Sequence, residues 1–152
     1  AQVNAFAGRG LEGDRFYNIR PDFDGQVTFF SLEVFHLLTR TFPTASFAPE
    51  DLRRNVIIEG VPLNQLIGRH FSIDSGDEQE PIEFDGVRHC NPCRWMDIGV
   101  TGGALKFLKG RGGLRAKIAS SGILKRQPAS LKCRFELNLE EITTPLERPK
   151  LP

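Results

Sequence analysis

Two cysteines three positions apart, Cys90 and Cys93, stand in the stretch Val-Arg-His-Cys-Asn-Pro-Cys-Arg-Trp at 87–95. A thiol attacks an electrophile or binds a metal as its thiolate, and neighbouring cations favour that form. Arg88 and Arg94 can supply such a field, helped by His89 when it is protonated. Asn91 and Pro92 disfavour a regular helix, which places the thiols on a turn after a strand. Other readings stand beside this one. A buried cysteine often only fills a core. A C-x-x-C pair is also half of a zinc site, with Cys133 and one of His36, His70 or His89 completing it, but Cys133 has no second ligand close in sequence. A thioredoxin-like redox pair would open a helix, and Pro-Cys-Arg-Trp-Met-Asp-Ile-Gly does not read as one.

Arginine is the other chemically loaded residue. Arg9 and Arg15 flank three glycines in Gly-Arg-Gly-Leu-Glu-Gly-Asp-Arg-Phe at 8–16. Arg53 and Arg54 precede Asn55 at the mouth of an apolar run, and Arg111 and Arg115 flank Gly112 and Gly113. Glycine allows positive-φ turns and close approach of backbone N–H groups, and the guanidinium fork matches carboxylate and phosphate. Taken singly these are ordinary loops, with Asp14–Arg15 an expected internal ion pair. Together with a thiol they sketch an anionic, phosphate-bearing ligand near a soft-metal or sulfur centre.

The elements that must hold these groups are short. Residues 2–7, 27–30, 56–58, 69–74, 82–87, 117–119, 122–125 and 132–139 read as strands from their β-branched, aromatic or alternating patterns. Val34, Leu37, Leu38 and Thr41 recur at helical spacing, so 32–40 is the clearest helix, with Ser31 as its N-cap and Pro43 beyond its end. Shorter helical turns are expected at 63–67 and 104–109. This density of strands and Gly-rich turns predicts a mainly β fold, a closed or nearly closed β-barrel with a few short helices.

With 152 residues, 39% hydrophobic and 26% charged, the chain has the size and composition of one soluble domain. The expected division is a single domain over 1–144 and an extended Pro-rich tail over 145–152. A net charge of +1 makes no case for nucleic-acid binding. No apolar run is long enough to span a bilayer, and an odd cysteine count points to a reducing cytoplasm rather than a disulfide scaffold. The chain opens at Ala1 within a strand pattern, compatible with a preceding segment having been trimmed away.

The order of motifs resembles the MOSC domain, named for the C-terminal part of molybdenum-cofactor sulfurases. The resemblance covers nearly the whole length. It rests on Gly10-Leu11-Glu12-Gly13-Asp14-Arg15-Phe16, Leu52-Arg53-Arg54-Asn55-Val56-Ile57-Ile58, Leu66-Ile67-Gly68-Arg69-His70-Phe71, Gly86-Val87-Arg88 through Pro92-Cys93, and Arg111-Gly112-Gly113-Leu114-Arg115-Ala116. It implies a barrel like the one inserted in pyruvate kinase. It also implies a molybdenum pterin cofactor, with the family's key cysteine matched by Cys93 as metal ligand. Arg53 and Asn55 fall where family members hold the pterin phosphate and its surroundings. Around them Arg15, Arg88, Arg111, Gly112 and Gly113 are the further expected cofactor contacts. The segment Ser121-Gly122-Ile123-Leu124-Lys125-Arg126-Gln127-Pro128 departs from the family's Gly-Asp turn. Nothing resembles a pyridoxal-phosphate lysine site, so that cofactor is not expected here.

Two functions follow from the resemblance. In one, the protein is a small oxidoreductase acting on N-hydroxylated compounds, with electrons from a flavin or iron–sulfur protein and homodimerisation to complete the pocket. In the other, Cys93 carries a persulfide from a cysteine desulfurase, or the cofactor itself for delivery, and Cys90 resolves it by exchange.

Overall fold

The computed structural model describes residues 1–147. It is mainly β, with nine short strands and two α-helices. The strands are β1 (Gln2–Phe6), β2 (Gly10–Leu11), β3 (Val27–Ser31), β4 (Val56–Ile58), β5 (His70–Asp74), β6 (Ile82–His89), β7 (Leu114–Ile118), β8 (Gly122–Lys125) and β9 (Ser130–Cys133). The helices are α1 (Leu32–Thr41) and α2 (Ala104–Leu108). One sheet has the order β2-β1-β8 and the other β4-β3-β7-β6-β5-β9. The second order has two ends instead of running round on itself, so the mainly β expectation holds and the closed form of the barrel does not. Among the described residues no helix is long and apolar enough to cross a membrane.

The described residues group into two compact units, 1–28, 66–88 and 115–136 in the first and 29–65, 89–114 and 137–147 in the second. In the first unit, β1 pairs antiparallel with β8 in the register Val3–Leu124 and β5 with β6 in the register Phe71–Phe84. The rings of Phe71 and Phe84 stack with centroids 5.3 Å apart. Buried Gln26 is satisfied by accepting from the Ile118 N–H at 2.9 Å, which removes the penalty of an unpaired amide in a core.

In the second unit, β3 and β4 run parallel with Phe30 opposite Ile57, as a crossover through α1 requires. The Ser31 hydroxyl caps α1 by accepting from Val34 N–H at 3.2 Å. The stripe predicted from spacing is the buried one: Val34 and Leu38 join Phe30, Leu52, Met96, Val100, Ala104 and Leu108 in one apolar cluster. Trp95, two residues beyond Cys93, packs against this cluster.

Several boundaries differ from the sequence reading. Strand β7 begins at Leu114, so Arg115 lies on a strand and not in the glycine loop. Strand β9 ends at Cys133, and the apparent alternation through 139 gives way to a 3₁₀ turn at Leu139–Glu141. The structure also has a 3₁₀ turn at Pro49–Leu52 for which the sequence reading had no element. Of the expected tail, 148–152 lies outside the described residues; Leu146 N–H donates to the Gly110 carbonyl at 2.9 Å.

Candidate functional site

The cysteine turn begins where β6 ends. Cys90 is buried at 9% exposure, and its N–H donates to the Gly113 carbonyl at 2.8 Å. Gly112 lies so close beneath it that a Cβ there would collide with the Cys90 carbonyl and meet Pro92 at 3.0 Å. Gly113 has φ +105°, and its missing side chain leaves room for the Phe29 carbonyl. The glycine pair is thus required by close backbone approach, as expected for a cradle, but the group it approaches is the cysteine turn itself.

His89 ties the two segments together. Its Nε2 accepts from Gly112 N–H at 2.9 Å, so that nitrogen is unprotonated and the proton sits on Nδ1, 3.0 Å from Asn91 Oδ1. Burial holds the imidazole below its ordinary pKa, the Asn91 contact works the other way, and the Arg54 charge adds to the lowering. His89 is therefore a neutral brace, not the extra cation expected beside the thiols. Arg54 closes the knot. Its Nε donates to the Gly112 carbonyl at 2.9 Å and its Nη1 to the Leu52 carbonyl at 3.1 Å, while Nη2 is buried with no acceptor among the described residues.

Cys93 is exposed, unlike Cys90. Its carbonyl accepts from Met96 N–H at 2.9 Å, opening a π-helical turn at Met96–Val100 that the sequence did not reveal. The wide turn has a packing cause: the Trp95 indole occupies the space a side chain at Gly99 would need. Trp95 Nε1 donates to the Asp51 carbonyl at 3.0 Å, and the Arg53 guanidinium lies over its ring at 3.4 Å. Arg53 reaches this position from a left-handed backbone, φ 55°, which costs a non-glycine residue energy and persists where surroundings enforce it. Stacking orders the guanidinium face while leaving its edge N–H groups to meet an anion.

The second unit therefore holds Cys90, Cys93, Arg53, Gly112 and Gly113, gives Arg54 and His89 bracing roles that the sequence did not show, and adds Trp95, to which the sequence had given no role. Asn55 is exposed and adjoins β4. Arg111 is committed elsewhere: Nε donates to the Thr143 carbonyl at 2.9 Å and Nη1 to Phe107 at 3.3 Å. It lines a small cavity with Ser31, Asn64, Gly113, Ile142 and Thr144. Arg15 and Arg88 belong to the first unit. Arg15 lies over the Phe16 ring at 4.6 Å, and Asp14 accepts from Phe16 N–H at 3.1 Å. Arg88 directs its Nε to Asp24 at 2.7 Å, so its charge is engaged by a carboxylate. Cys133 is half-buried, with Sγ 3.2 Å from the Phe135 carbonyl. Among the described residues no group of three or more His, Cys, Asp or Glu is placed to hold a metal ion.

No protein-family model matches the chain, and no curated protein does. Solved structures with a similar fold include the following two. The YuaD protein from Bacillus subtilis is 16% identical with a TM-score of 0.62, covering 81% of this chain and 79% of its own. A solved hypothetical protein is 15% identical with a TM-score of 0.67, covering 99% of this chain and 70% of its own.

Proposed function

We propose that the second unit binds a molybdenum pterin cofactor and that the protein is a small oxidoreductase acting on N-hydroxylated compounds. The observation that carries this reading is the presence in one unit of an exposed thiol, Cys93, and an arginine, Arg53, stacked on Trp95 two residues beyond it. The donor set fits such a group. A single protein thiolate is enough for a metal that arrives with its own sulfur ligands, whereas it is too few for a bare ion. The buried Nη2 of Arg54 is a donor awaiting an acceptor, and Arg53 presents guanidinium edges to a phosphate. When bound, the cofactor would supply two-electron oxygen-atom chemistry, reducing an N-hydroxyl group with electrons from an external flavin or iron–sulfur donor. Cys93 would ligate, Arg53 and Asn55 would hold the phosphate end, and His89 with Gly112 would keep the turn in place.

The carrier reading needs Cys90 as a resolving thiol. Its burial disfavours that role and favours the first reading. Elemental analysis of protein from a cofactor-competent host, beside Cys93→Ser and Cys90→Ser, tests both. Stoichiometric molybdenum lost only in Cys93→Ser is the expected result. Sulfane sulfur without molybdenum, sensitive to both substitutions, would replace the oxidoreductase with the carrier.

A further inference from the structure

The first unit contains a second group of arginines that the cysteine turn does not use. Asp24 accepts from Arg88 Nε at 2.7 Å and from Arg115 Nη2 at 2.8 Å. Arg115 lies 5.4 Å and Arg20 5.1 Å from the centroid of the Phe23 ring, which in turn packs on Phe16 at 5.6 Å. Three guanidiniums thus share one aromatic-lined corner with one carboxylate. Asp22, two residues before Asp24, is paired with Lys117 at 3.1 Å.

A purely structural role explains part of this. Asp24 pins the 12–26 loop to β6 and β7, and a single arginine would suffice for that. The arrangement goes further. Arg88 spends only Nε on Asp24 and is half exposed, so its two Nη groups remain available. Arg115 is three-quarters buried, lies across Gly25 where any side chain would strike it, and has a buried Nε with no acceptor among the described residues. Exposed Arg20 is presented by a bend whose flanking residues Asn18 and Asp22 both hold positive φ, 55° and 59°. Stacking on Phe23 fixes guanidiniums that would otherwise lose rotamer freedom on binding.

We propose that Arg20, Arg88 and Arg115, assembled around Phe23 and Asp24, form a binding site for a phosphate monoester. Three cations against one carboxylate leave an excess of two positive charges, which matches a phosphate dianion better than a single carboxylate ligand. Forked N–H donors suit its tetrahedral oxygens. The site takes over Arg88, which the sequence had suggested as a cofactor contact, and uses none of the residues of the cysteine turn in the second unit.

The test is calorimetric titration with inorganic phosphate at constant ionic strength, in an Arg53→Ala background that removes phosphate binding at the cysteine turn. Saturable binding is expected there. R88A and R20A should each weaken it about tenfold, and R126A, an exposed arginine outside the cluster, less than about twofold. R88K, which keeps the charge but loses the fork, should bind nearly as weakly as R88A. Phosphate should raise the Tm of the parent and leave that of R20A unmoved, a response a loop-pinning role would not produce. Vesicles of phosphatidylcholine with phosphatidic acid, run beside free phosphate, tell whether the same group is recognised on a lipid. No saturable binding of either probe, or binding by R20A and R88A as tight as that of the parent, would overturn the site. Because the readout is phosphate and not metal, its failure and that of the molybdenum reading are separately visible.

Discussion

At the scale of single residues, the candidate site is a contest for the space around Gly112. Gly112→Ala would drive a methyl group into the Cys90 carbonyl and Pro92, and we expect a loss of about 1–3 kcal/mol in urea unfolding. His89 gives a pH signature with a definite sign. Its folded pKa lies below the ordinary 6.5, so the stability it contributes is complete above 6.5 and is lost as pH falls through the folded value. The difference in urea midpoint between wild type and His89→Ala should shrink on acidification; a constant difference would contradict the brace. Motif spacing made Cys93, Arg53, Gly112 and Gly113 legible, because thiols, forks and paired glycines announce their chemistry by type. It could not expose His89 or Arg54 in their observed roles. Those depend on which backbone atoms lie opposite, namely Gly112 N–H and the Gly112 carbonyl.

At the scale of elements, α1 was readable because one stripe and one cap dominate it. Ser31→Ala removes the bond to Val34 N–H and should cost about 1 kcal/mol of stability. Leu38→Ala, at a fully buried position, should cost about 2–5 kcal/mol. Chemical denaturation followed by far-UV circular dichroism distinguishes the two. The π-helical turn at Met96–Val100 was not readable, since its width comes from the Trp95 ring lying against Gly99, a contact between side chain and backbone that no periodicity encodes. Strand β9 misled for a related reason. Alternation continues through Phe135, Leu137 and Leu139, but Arg69 covers the Phe135 ring at 4.0 Å and the Asn138 N–H donates to the Gln65 side chain at 2.9 Å. Side-chain partners had taken over where the pattern expected a ladder.

At the scale of the whole molecule, stability should fall off on both sides of neutrality for reasons that can be separated. His70 is raised above 6.5, first by its bond to Asp85, against burial, with Glu83 adding to the rise. Its contribution is present below 6.5 and disappears as pH climbs through the folded value. The ring is half exposed, so the effect is small, and Asp85→Asn should remove it from a plot of Tm against pH. Asp24 moves the other way. Burial works to raise its pKa, but Arg88, Arg115 and Arg20 outweigh it and hold the carboxyl below 3.8. That stability is present above 3.8 and fades as pH falls through the lowered value, an acid limb that Asp24→Asn should flatten. The mainly β composition of the fold was plain from strand density, whereas the open strand order is set by pairings remote in sequence. The stacking of Arg53 on Trp95 has one more consequence. The chain has a single tryptophan and a single tyrosine; Trp95 adjoins the cysteine turn, and Tyr17 packs edge-on against Phe6 in the other unit. Excitation selective for indole therefore observes one unit alone, and any anion that draws the guanidinium off the ring changes the emission. The protein carries its own optical reporter, two residues from the thiol it would report on.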